Sequence, residues 1–485
     1  MLKQTKIVAT ISDKRCEVDF LSDLFEAGMN VIRMNSAHLN KEGFDKIIKN
    51  TRAVSNRIGI LMDTKGPEIR TTVTDKDEPI SFKTGDKVWL KGDIKNNTSA
   101  DCIYVNYIDF ANEIKLGSMI LMDDGELELK VIEKHPDSLL LEALNDAVLG
   151  SRKSVNVPGV RITLPSLTEK DRANILYAIE NQIDFIAHSF VRSKQDVLDI
   201  QQILNERHSP IKIIAKIENQ EGIDNIDDIL EVAYGIMVAR GDLGIEVPQE
   251  KIPGLQRTLI RKCIAAKKPV IVATQMLHTM IDNPRPTRAE VTDVANAIYY
   301  RTDAIMLSGE TAYGKFPVES VRTMASIARE AELTKLQEND IRVPIPDDDM
   351  DVTSFLAKQA VKTSSRLQVK AIVTDCYYGR TARYLAAFRG KAPVFAICYR
   401  EQTTRELALS YGIWAEYQEK KEDPKKYLLI ALNKLIERQI INRNDMIAYL
   451  SGSFGADGGT SFLEINNTGK ILDGGKNFHT PYFKD

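Results

Sequence analysis

The chain has 485 residues, 43% hydrophobic and 27% charged, with 65 basic and 68 acidic residues and a formal net charge of −3. This length fits about three domains, and the composition excludes disordered and low-complexity classes. The balanced charge excludes a global pull toward nucleic acid, so an anionic ligand must be held by a local cluster.

The first six residues lead straight into Ile7-Val8-Ala9, without an apolar stretch and cleavage site. The expectation is a chain with no secretory signal. Short apolar runs then alternate with helical patterns. They cover 6–10, 31–35, 58–63, 185–189, 211–218, 235–240, 269–274 and 304–308. Continuous apolar strands indicate a parallel sheet buried on both faces, and eight of them between helices predict an α/β fold of the TIM (β/α)8 barrel type. Each run ends in polar residues: Thr10, Arg33 and Asn35, Asp63, Ser189, Lys216 and Glu218, Arg240 and Asp242, Thr274, Ser308. The carboxyl ends of barrel strands form active sites.

Between the third and fourth runs, short strands are expected at 88–90, 103–105, 119–122 and 127–131, with Asp124-Gly125 as a hairpin turn. This reads as a small β-barrel lid domain inserted at 67–161. Gly66-Pro67 and Pro158-Gly159 are its hinges. The barrel then occupies 1–66 and 162–345. After the acidic run Asp347-Asp348-Asp349, strands at 371–374, 394–397 and 446–450 predict a C-terminal α/β domain over 346–485. No apolar run reaches the ~18–20 residues of a membrane helix. Five scattered cysteines without a CxxC fit a reduced, cytoplasmic compartment and exclude a disulfide scaffold or zinc site.

Lys216 and Glu218 are two apart on one strand and face the same side. Arg240 and Asp242 repeat that spacing on the next. Glu218 and Asp242 are then neighbouring hard oxygen ligands suited to Mg²⁺, beside a lysine that stabilises an oxyanion or a moving phosphoryl group. The same residues also suit a salt bridge that caps the barrel. Gly241 opens either an anion-binding turn or an ordinary one. Thr274 is either a substrate or proton-relay hydroxyl or a helix cap. There is no GxxxxGK[ST] and no GxGxxG, so a nucleotide is not held by either motif. The six histidines show no paired spacing and read as surface or structural.

With these residues in view, the sequence resembles pyruvate kinases over nearly its full length. The matching segments include Val31-Ile32-Arg33-Met34-Asn35, Asp63-Thr64-Lys65-Gly66-Pro67-Glu68-Ile69-Arg70, Ile214-Ala215-Lys216-Ile217-Glu218-Asn219, Val238-Ala239-Arg240-Gly241-Asp242 and Ala273-Thr274-Gln275-Met276. The resemblance implies phosphoryl transfer from phosphoenolpyruvate to ADP. It implies Mg²⁺ on Glu218 and Asp242, Lys216 stabilising the transferring group, and Arg33 on the phosphate. Gly241, Asp242 and Thr274 would hold the substrate carboxylate, with Thr274 on the proton path. Arg70 and Lys153 would contact nucleotide phosphates. It also implies a homotetramer, and a K⁺ site at Asn35, Asp63 and the Thr64 carbonyl.

Three positions depart from the family. Ala37 replaces a serine that ligates K⁺, with the adjacent Ser36 expected to face the other way on a continuing strand, and Glu68 is the residue found in K⁺-dependent members. Ile11-Ser12-Asp13 lacks a proline that packs on the nucleotide base. Gly379-Arg380-Thr381 resembles an effector-phosphate loop, but Tyr378 replaces its usual serine. Two other readings stay open here: a Mg²⁺-dependent pyruvate-enolate lyase or aldolase, and a non-catalytic ligand-sensing relative.

Overall fold

The computed structural model describes residues 2–335, 350–419, 425–452 and 459–474. Asp347–Asp349, the expected boundary at 345/346 and His479 lie outside the described residues. The eight expected barrel strands all form. They are β1 (Lys6–Thr10), β2 (Val31–Asn35), β3 (Gly59–Asp63), β4 (Phe185–His188), β5 (Lys212–Ile217), β6 (Gly235–Ala239), β7 (Val270–Ala273) and β8 (Ala304–Leu307). Each pairs in parallel with its sequence neighbour, and β1 pairs with β8 to close the barrel.

Alternating side chains of these strands fill the barrel. Val8, Val31, Phe185, Ile214, Met237 and Ile271 belong to one buried interior cluster, which Leu409 of the C-terminal part completes. Three of the outer helices begin where side chains satisfy the first free amides. Thr168 with Asp171, Ser193 with Asp196 and Thr287 with Glu290 form capping boxes.

Between β3 and β4 the chain builds a six-stranded sheet and a two-stranded one, around a hydrophobic core separate from the barrel's. The expected hairpin joins Met119–Met122 to Leu127–Lys134, with positive φ at Asp123, Asp124 and Gly125. Strands at Ile80–Phe82, Ser138–Ala143, Ala147–Leu149 and Val155–Asn156 were not expected from the sequence. Three of them are two or three residues long, too short to show a period.

The C-terminal sheet has the order Ile413–Tyr417, Val394–Cys398, Ala371–Cys376, Met446–Gly452, Thr460–Asn467, with only the last pair antiparallel. Its first and last strands, both at sheet edges, were also missed. Buried carboxylates fasten this part to the floor of the barrel. Asp303 accepts from Arg389 at 2.6 and 3.0 Å and from the Tyr411 amide at 3.0 Å. Asp184 accepts from Arg405 at 2.6 Å and Arg52 at 2.8 Å. Among the described residues, all five cysteines are unpaired and no helix is long and apolar enough to cross a membrane.

Candidate active site

The carboxyl ends of β2, β3 and β5 bring Arg33, Asp63, Lys216 and Glu218 into one buried cluster. Arg33 Nε donates to Asp63 Oδ2 at 2.9 Å. Lys216 Nζ lies 2.8 Å from Glu218 Oε1 and 3.5 Å from Asp63 Oδ1, and donates to Ser189 Oγ at 2.9 Å. The Phe190 amide donates to Glu218 Oε2 at 2.7 Å. Lys216 and Glu218 therefore lie side by side as expected, although β5 itself ends at Ile217.

Burial alone would lower the Lys216 ammonium, but Asp63 and Glu218 outweigh it and hold it above the usual lysine range. Glu218 moves the other way. Its own burial, with Asp242 close by, pushes the carboxyl above the usual carboxylate range against the pull of Lys216. The lysine thus carries the fixed charge, and the ionised glutamate wants a further cation. Glu218 Oε1 is buried and its approach to Lys216 is not aligned as a hydrogen bond, so that oxygen has no hydrogen-bond partner. Two cations face three carboxylates here once Asp242 is included. A hard divalent cation fits this donor set. Among the described residues no cluster of three or more His, Cys, Asp or Glu forms a metal cage, so such an ion would need oxygens from substrate or water to complete its shell.

Two expectations need correction. Arg240 and Asp242 do not continue β6. The strand stops at Ala239, and both residues open the short helix Arg240–Glu246. Arg240 turns outward to Asp293, at 2.7 and 2.8 Å, and to the Thr274 carbonyl at 2.7 Å. Asp242 lines the cleft. Strand β2 likewise stops at Asn35, and Ser36 and Ala37 lie in a turn, so strand alternation does not govern them. Ser36 is buried with its hydroxyl unpartnered.

Thr274 caps no helix. It adopts φ +69°, and its hydroxyl donates to the Ala273 carbonyl at 2.6 Å and accepts from the Gly241 amide at 2.8 Å. This brings Thr274 and Gly241 together. At the K⁺ residues, Asn35 Oδ1 accepts from the Ala37 amide at 3.0 Å and the Thr64 carbonyl accepts from Ser189 Oγ at 2.7 Å. Asp63 Oδ1 has no hydrogen-bond partner. Orphaned oxygens on Asp63 and Ser36 fit a monovalent cation there, while Ala37 offers none.

Above the cluster, a cleft of about 640 Å³ opens between the barrel mouth and the inserted sheets, with Glu68, Arg70, Asn156, Phe190, Arg192 and Asp242 among its walls. Arg70 is bidentate on Glu68, at 2.9 and 3.2 Å, which holds its guanidinium above its usual range. Lys153 sits on the segment paired with Arg70's, outside the lining, with Nζ 2.8 Å from Asp123. In the C-terminal part, Gly379 (φ +75°) precedes the helix Arg380–Ala387. Arg380 is held by Asp351 at 2.8 Å and the Thr381 hydroxyl by Thr460 at 2.7 Å. Of the five histidines described, four are exposed and His188 is buried, with Nδ1 3.4 Å from the Thr64 hydroxyl.

The model of the pyruvate kinase barrel domain matches residues 2–321, and that of the pyruvate kinase alpha/beta domain matches residues 355–466. The chain belongs to the pyruvate kinase family. A pyruvate kinase of Borreliella burgdorferi is 46% identical over 480 residues, covering 97% of this chain and 99% of that protein. One from Bacillus licheniformis is 42% identical, covering 98% of this chain and 82% of that protein. The crystal structure of a pyruvate kinase from Cryptosporidium parvum superposes with a TM-score of 0.89 at 34% identity, covering 96% of each chain. These relatives support a pyruvate kinase and give no support to the lyase, aldolase or ligand-sensing readings.

The sequence did not point to the Phe190 amide or to Arg192. The first acts through its backbone, and the second binds backbone carbonyls, so neither leaves a side-chain pattern.

Proposed function

We propose that the cluster at the ends of β2, β3 and β5, with Thr274 and the Gly241–Asp242 turn, transfers the phosphoryl group of phosphoenolpyruvate to ADP and forms pyruvate and ATP. The observation that carries this is Lys216, buried and protonated between Asp63 and Glu218 beneath the cleft. Its ammonium stabilises charge that develops on the transferring group and on the enolate. Arg33 contacts the phosphate from the other side of Asp63. The Gly241 amide exchanges the Thr274 hydroxyl for the substrate carboxylate, and the released hydroxyl supplies the proton path. Arg70 and Lys153 turn from Glu68 and Asp123 toward nucleotide phosphates. Residues 67–161 act as a lid that excludes water from the transfer.

Glu218 and Asp242 would hold Mg²⁺, which supplies positive charge to the phosphoryl and enolate oxygens. Asn35, Asp63 and the Thr64 carbonyl would hold K⁺. With Ala37 in place of a ligand, that site is weakened or completed by water. The Gly379–Thr381 loop offers a helix N-terminus to an effector phosphate, at the cost of the Arg380–Asp351 pair. A homotetramer follows from the resemblance, and a cytoplasmic location is supported by the unpaired cysteines.

The test is product formation from phosphoenolpyruvate, ADP and Mg²⁺, with K⁺ titrated. Pyruvate and ATP should appear in equal amounts, and Ala37→Ser should shift the K⁺ activation curve to lower concentration. Folded protein that forms no ATP at any K⁺ concentration would refute the assignment. An unshifted K⁺ curve would remove Ala37 from the cation site.

A further inference from the structure

The loop that follows β4, residues 189–192, touches both the catalytic cluster and the two points where the chain enters and leaves the inserted segment. On the cluster side, Ser189 Oγ accepts from Lys216 Nζ at 2.9 Å and the Phe190 amide donates to Glu218 Oε2 at 2.7 Å. On the entry side, Ser189 Oγ donates to the Thr64 carbonyl at 2.7 Å. Gly66 (φ +70°) lies so flat against the loop that an added Cβ would stand 2.9 Å from the Phe190 ring. On the exit side, Arg192 donates through Nη1 to the Ile162 carbonyl at 3.1 Å and through Nη2 to the Leu164 carbonyl at 2.8 Å.

The loop is also braced from below. Asp196 accepts from the Arg192 amide at 2.8 Å and lies 3.4 Å from its guanidinium. Asn225 donates to the Arg192 carbonyl at 2.8 Å. Phe190 holds φ +56°, a conformation that needs the surrounding contacts to persist. Gly222 lets the Val191 carbonyl approach where a Cβ would meet it at 2.5 Å.

We propose that this loop sets the position of the lid relative to Lys216 and Glu218, and that Arg192 is a positioning residue of the reaction, clamping the exit hinge through the Ile162 and Leu164 carbonyls. A guanidinium is suited to this because its planar fork reaches two carbonyls at once. In the proposed reaction the phosphoenolpyruvate contacts stand on the barrel, whereas the two residues assigned to the ADP phosphates, Arg70 and Lys153, stand on the lid. Loss of the clamp therefore weakens ADP and leaves phosphoenolpyruvate nearly untouched. A lid that no longer seats also admits water to the transfer. Water then takes the phosphoryl group in place of ADP, giving pyruvate and inorganic phosphate without ATP.

This rests on the proposed reaction, so the wild-type chain is run alongside. Wild type without ATP formation sinks that reaction, and only an active wild type makes the variant informative. For Arg192→Met the expected result is a KM for ADP raised about tenfold, a KM for phosphoenolpyruvate within about twofold of wild type, and more pyruvate than ATP. Trypsin should also nick faster after Arg161, whose side chain is 79% exposed beside the exit hinge. Arg192→Lys, which keeps the charge but not the fork, should fall between and serves if Arg192→Met does not fold. An unchanged KM for ADP with equal pyruvate and ATP overturns the proposal. So does an equal rise in both KM values without added nicking, which marks a merely structural role.

Discussion

Lys216 keeps its proton because two carboxylates outweigh the desolvation of its ammonium, and this is the electrostatic basis of the site. The strand spacing already indicated that Lys216 and Glu218 lie together. It did not show Ser189 and the Phe190 amide completing their shells, because a backbone donor has no sequence signature. His188 is legible only in the structure. Burial lowers its imidazole from 6.5 to about 4. The folded chain then binds this proton only near pH 4, while the unfolded chain binds it near 6.5. Stability from this group is therefore present above pH 6.5 and is lost as pH falls through that window. Relative to His188→Gln, wild type should lose on the order of 3 kcal/mol between pH 7 and pH 4, read from urea midpoints at each pH. A constant difference between the two proteins would show that His188 titrates normally.

At the scale of elements, the barrel was readable because its strands are buried on both faces and apolar throughout. In the inserted sheets the strands of two or three residues left no readable pattern, and the six-residue strand Ser138–Ala143 was missed as well, whereas Asp124-Gly125 marked its hairpin. Strand ends were less certain. Arg240 and Asp242 follow an apolar run and look like its last residues, but the helix after β6 begins at Arg240 itself. That shift turns Arg240 to Asp293 and leaves Asp242 on the cleft. The K⁺ turn shows the same effect at β2, which ends at Asn35 and leaves Ser36 buried with an unpartnered hydroxyl. The loop 189–192 belongs to this scale too, since Ser189 ties the entry segment at Thr64 and Arg192 the exit segment at Ile162 and Leu164 to the end of one strand.

Across the whole molecule, the C-terminal part is a structural floor of the barrel as well as a separate sheet. Leu409 enters the interior cluster formed by the barrel strands, and Asp303 and Asp184 hold arginines from the far side of the junction. Leu409→Ala should cost about 2–5 kcal/mol and speed hydrogen exchange of the β6–β8 amides, although none of those strands is altered. Unchanged exchange in the barrel would show that the two parts are stabilised independently. No sequence pattern showed this plug, because Leu409 sits in an ordinary apolar stretch of the C-terminal part.

The measurement that tests the central claim most directly is a single-turnover reaction of Lys216→Met beside wild type, with phosphoenolpyruvate, ADP and Mg²⁺ all saturating. If Lys216 stabilises developing charge, ATP formation should fall by on the order of 10²-fold or more, with circular dichroism and phosphoenolpyruvate binding retained. A transfer rate near that of wild type would contradict the assignment of the site.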